Sequence, residues 1–103
     1  MNGSQAGTTL RANRMPQAAA AFYSDVTTFS LSLWIRGIAD LPEASRDRVE
    51  LVIVAMVELQ DESPVAISWR DPARMRKLID ERVAGLRAAR TAQLRARYAE
   101  GNS

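Results

Sequence analysis

Apolar residues recur at helical spacing in the first third of the chain. Phe22, Val26, Phe29 and Leu33 form one stripe, and Leu31, Trp34, Ile35 and Ile38 form a second beside it. Pro16 and the alanine run behind it favour a helix start, so the pattern predicts a helix over 16–39. Inside that span Phe29, Leu31 and Leu33 alternate with Ser30 and Ser32, which would also suit a half-buried strand. The helical reading is preferred because it places Trp34 through Ile38 as well.

Asp40-Leu41-Pro42-Glu43 has the make-up of a helix start, an aspartate followed three residues later by a glutamate. A second helix then runs to about 61. Its centre, Leu51-Val52-Ile53-Val54-Ala55-Met56-Val57, is apolar on every face and rich in β-branched residues, so a strand competes. Asp47, Arg48 and Glu58 continue the helical pattern beyond strand length, and helix is preferred. Such a helix needs cover on all sides. Glu62-Ser63-Pro64 ends it, and 65–69 read as a short extended connector with Val65, Ile67 and Trp69 on one side. Asp71-Pro72, an N-cap followed by proline at the first helical position, opens a third helix to about 98. Residues 1–15, rich in Gly, Ser, Thr and Asn, read as a flexible N-terminal segment, and 16–100 as a single helical domain. The expected fold is all-α, three main helices with a short extended connector, completed by dimerisation.

Composition narrows this picture. A chain of 103 residues is one domain, and 47% hydrophobic with 25% charged residues is a globular balance. The absence of cysteine excludes a disulfide framework and a thiolate metal site. No segment has the apolar core of a signal peptide or the length to cross a bilayer, and the chain reads as cytoplasmic. Lys77 is the only lysine among 14 basic residues, a bias that suggests a bacterial source.

Charge is distributed unevenly. Residues 1–39 carry Arg11, Arg14 and Arg36 against Asp25, while 40–69 carry Arg46 and Arg48 against seven acids. Residues 70–103 carry eight arginines and Lys77 against four acids. An acidic middle therefore faces a basic end.

Candidate chemistry is sparse. With no histidine and no cysteine, the commonest general base, metal ligand and nucleophile are missing. Glu58 and Glu62 lie one turn apart, the spacing of a hard-cation pair, although solvated helix-end charge is the plainer reading. The glycines are too scattered for a phosphate-cradling loop. The expectation is a non-enzymatic protein without cofactor or metal.

Two features point to partners instead. In the third helix Met75, Ile79, Val83 and Leu86 form a stripe whose next turn lands on Arg90. Arg87, Arg90, Arg95 and Arg97 follow with no acid before Glu100, a face suited to an acidic protein, to nucleic-acid backbone, or simply to the helix macrodipole. The apolar surplus of the first two helices suggests a protein interface, with Leu31, Trp34, Ile35 and Ile38 as contacts supported by Met56 and Trp69.

The apolar helix ending Trp34-Ile35-Arg36-Gly37-Ile38, the Leu41-Pro42 break, and the long second helix followed by a third resemble the small helical quorum-sensing anti-activators that bind LuxR-type transcription regulators. The resemblance spans roughly residues 26–98 and carries over no individual binding residue. It implies an all-helical homodimer that inactivates a transcription regulator by protein contact. The expected function is a small regulatory protein that binds and inhibits a larger protein partner. The alternative is a small nucleic-acid-binding protein using the four arginines, and a weaker third reading is a structural or phage-assembly component.

Overall fold

A computed structural model describes residues 1–63 and 67–101, except the side chains of the last two. It is all-helical, with five helices and no strand among the described residues: α1 (Gly3–Ala12), α2 (Gln17–Tyr23), α3 (Thr28–Ile35), α4 (Glu43–Glu62) and α5 (Pro72–Gly101). Both strand alternatives are therefore set aside.

The first correction concerns residues 1–15, expected to be flexible. α1 forms there because its first turn is closed by a capping box. The Asn2 side chain accepts from the Gln5 amide at 2.8 Å, and the Gln5 side chain accepts from the Asn2 amide at 2.7 Å. Its small residues then allow a close crossing with α3. A Cβ added at Gly3 would stand 2.0 Å from the Trp34 carbonyl oxygen, and one at Gly7 2.7 Å from Ile35 Cγ2. Ala6 and Leu10 are buried, so the helical domain extends to the N-terminal side of 16.

The second correction splits the helix expected over 16–39. The break lies at Ser24–Asp25, where Asp25 takes the left-handed conformation with φ 58°. Asp25 N–H donates to the Phe22 carbonyl and Val26 N–H to the Ala21 carbonyl, the two bonds of a Schellman helix end. The same pair of bonds ends α1 around Arg14 (φ 55°) and α3 around Gly37 (φ 72°). Of the three left-handed residues only Gly37 is a glycine, which is why the other two stops left no mark in the glycine pattern.

α4 starts at Glu43, later than the Asp40 cap implies. Pro42 occupies the cap position with extended backbone and no side-chain cap bond. Proline disfavours helical geometry at the residue before it, so Leu41 stays outside the helix and is buried instead. α5 begins at Pro72 as its Asp-Pro start predicts. In the expected connector, Val65 lies outside the described residues; Ile67 has no regular structure and Trp69 sits in a turn.

α4 is the central element, with Val49, Leu51, Val52, Ile53, Ala55, Met56 and Leu59 buried. α1 and α2 pack on it, and α5 runs antiparallel along it, contributing Met75, Ile79 and Val83 to the core. The cover that α4 requires thus comes from its own chain.

Candidate interaction surface

The six residues expected to meet a partner do not form one exposed patch. Leu31, Trp34 and Met56 belong to the core, with 0%, 5% and 0% exposure, so they are not surface contacts in this fold. The reason is α1. By packing against α3 and α4 it covers apolar surface that a flexible N-terminus would leave open. Ile35 is half-buried beneath Gly7, and Ile38 is 60% exposed just past the end of α3. Trp34, Ile35 and Ile38 line one depression of about 550 Å³ beside the start of α1. Trp69 is half-buried elsewhere, its carbonyl accepting a 3.2 Å hydrogen bond from the Tyr23 hydroxyl.

The basic residues behave differently. Arg87, Arg90, Arg95 and Arg97 are all exposed, as is every residue from 87 to 99. None of the four makes an ion pair among the described residues. Other arginines are engaged with acids of the body. Arg82 donates to Glu58 at 3.0 Å and to both Glu62 oxygens at 2.7 and 2.6 Å. Arg48 lies 2.8 Å from Asp25 and 3.8 Å from Asp80, and Arg76 lies 3.3 Å from Asp25.

The Arg82 clamp decides the role of the Glu58–Glu62 pair. A guanidinium fills the space a cation would take, and its hydrogen bonds hold the Glu62 carboxyl below its ordinary pKa of 4.5. Those same bonds raise the Arg82 pKa further. Among the described residues no group of three or more His, Cys, Asp or Glu side chains is arranged to hold a metal. Burial raises the pKa of the Tyr23 hydroxyl, with Arg76 opposing.

The basic end of α5 also carries apolar side chains that the stripe analysis omitted. Leu94 is 58% and Tyr98 76% exposed. They are one turn apart on the helix and line a shallow depression of about 400 Å³ with Arg95. Their i, i+4 spacing is visible in the sequence, one and two turns beyond Arg90.

α5 is long for this body. Its 30 residues span about 45 Å, close to the longest molecular dimension of 48 Å. The radius of gyration of 14.8 Å exceeds the roughly 13 Å of a compact domain this size. No helix among the described residues is long and apolar enough to cross a membrane. Comparison with family models, with curated proteins and with solved structures finds no match.

Proposed function

We propose that this is a small non-enzymatic regulatory protein that binds a larger protein partner through the terminal half of α5. The observation that carries the proposal is the fully exposed run 87–99. It combines four arginines that make no ion pair among the described residues with the exposed Leu94 and Tyr98, and contains no acid. A helix that continues past its own core with apolar and cationic side chains on view is built to lie in an acidic, partly apolar groove. The partner class the reading favours is a transcription regulator, inhibited by that contact in the manner of an anti-activator. Homodimerisation and action in the cytoplasm belong to the same proposal.

The test is affinity capture from host lysate with and without nuclease, repeated with the double variant Leu94→Glu, Tyr98→Glu. One dominant protein, retained after nuclease and lost with the variant, supports the proposal, and light scattering of the purified chain gives its oligomeric state. The second reading, nucleic-acid binding, is favoured by the same four arginines. It requires affinity that falls steeply with salt and a slope that flattens when Arg95 and Arg97 are neutralised. Capture that disappears with nuclease overturns the protein-partner reading.

A further inference from the structure

A second concave feature lies far from the basic end. Between α2 and the turn before α5, a groove of about 450 Å³ is lined by Phe22, Tyr23, Trp69, Pro16, Pro72 and Arg70. That volume falls within the range of small-molecule sites, and so does its chemistry, aromatic walls with few polar groups.

The walls are held in place. Phe22 is 51% exposed, yet its ring sits edge-on to Tyr23 with centroids 5.2 Å apart. The Arg76 guanidinium covers it at 4.8 Å and donates at 2.8 Å to the Phe22 carbonyl. Tyr23 is itself tied by its hydroxyl to the Trp69 carbonyl, which joins the two sides of the groove. An exposed aromatic ring fixed by two neighbours loses little freedom when a ligand lies on it.

The sign of the ligand follows from charge. Three aromatic rings alone suit a cation. Here Arg76 already occupies that position, 4.8 Å from the Phe22 centroid and 5.9 Å from that of Tyr23. Asp25 and Asp71 are the acids nearby, Asp25 paired with Arg76 and Asp71 acting on the Tyr23 hydroxyl, but Arg70 is the one charged residue among those described that lines the groove. It has no ion pair among the described residues. We infer that the groove binds a small apolar carboxylate, its hydrocarbon part on Phe22 and Trp69, with the buried Tyr23 as their backing, and its carboxylate on the Arg70 guanidinium. The site is independent of the α5 proposal, since Pro72 and Arg95 stand about 35 Å apart along the helix.

Calorimetric titration of the purified full chain with 2-naphthoate tests it, with 2-naphthylmethanol as the neutral counterpart. The expected result is saturable one-to-one binding of the acid with a dissociation constant below about 1 mM. Phe22→Ala, with helicity checked by circular dichroism, should weaken it about tenfold or more. Arg70→Gln should weaken the acid about threefold to fivefold and leave the alcohol unchanged. In Trp34→Phe, where Trp69 is the one remaining tryptophan, emission should shift with the same saturation curve.

Four results overturn the inference. They are no saturable binding at millimolar naphthoate, binding indifferent to Phe22→Ala, an alcohol that binds as tightly as the acid, or a preference for a proline-rich peptide over the acid. A dimer that dissociates on Phe22→Ala would assign the groove to a second copy and overturn it equally.

Discussion

The two halves of α5 belong to one helix and do opposite things. From Pro72 to Leu86 the helix buries Met75, Ile79 and Val83 against α4, and Arg82 closes onto Glu58 and Glu62. From 87 onward every described side chain is exposed, and Arg87, Arg90, Arg95 and Arg97 make no ion pair among the described residues. The backbone conformation is the same in both. What differs is whether the apolar stripe continues, and it stops where Arg90 takes the position a core residue would fill. Helicity beyond that point rests on alanine- and arginine-rich propensity and on the cooperativity of an already formed helix. One half is therefore architecture, and the other is free for recognition.

The sharpest way to break this comparison is at the α1–α3 crossing, which belongs to the body although its sequence looks disposable. Gly3→Leu should unfold α1 from the core, because even a Cβ meets the Trp34 carbonyl oxygen at 2.0 Å. The expected loss is more than about 3 kcal/mol by denaturant unfolding, with Trp34 emission shifting toward that of a solvated indole. Met56→Ala should cost about 2–5 kcal/mol, while Leu94→Ala at the other end should stay within about 0.5 kcal/mol. Equal costs for the two would mean that the end of α5 is covered after all, by a second copy or by the body.

The Arg82 clamp of the first half gives a pH test. Because Glu62 has a depressed pKa in the folded chain, its contribution is present above its ordinary value of 4.5 and is lost as pH falls through the lower, folded value. Glu62→Gln should therefore lower the melting temperature at pH 7, by an amount that shrinks as pH falls below 4.5 and through the folded value. A gap that persists in acid would show that the carboxylate charge is not what matters. A small effect of the opposite sign sits at Arg14, a non-glycine residue at φ 55°. Arg14→Gly should gain about 0.5–1 kcal/mol by removing the Cβ penalty at a helix stop. No gain would mean that the arginine side chain compensates for its own strain.

Much of the fold was legible from local rules. The Asp71-Pro72 start sits at the observed beginning of α5 and the apolar heptamer 51–57 lies inside α4, and the all-helical class follows from them. Less of the candidate surface was legible. Exposure of Arg87, Arg90, Arg95 and Arg97 followed from the apolar stripe ending at Leu86, but Leu94 and Tyr98 beyond it were not read as part of the face. Trp34 misled because a large aromatic serves an interface or a core equally well, and only the position of α1 separates the two.

Periodicity, caps and charge blocks by themselves determined that this chain is helical, that α4 must be enclosed, and that its end is basic. They act through neighbours within a few residues, and such interactions can be read along a line. Tertiary structure decided what encloses α4, where two helices stop without a glycine, and which aromatic rings face solvent. Those outcomes depend on contacts between residues far apart in the chain, such as Gly3 with Trp34 or Tyr23 with Trp69. Their strength lies in close approach and burial, which no local pattern records.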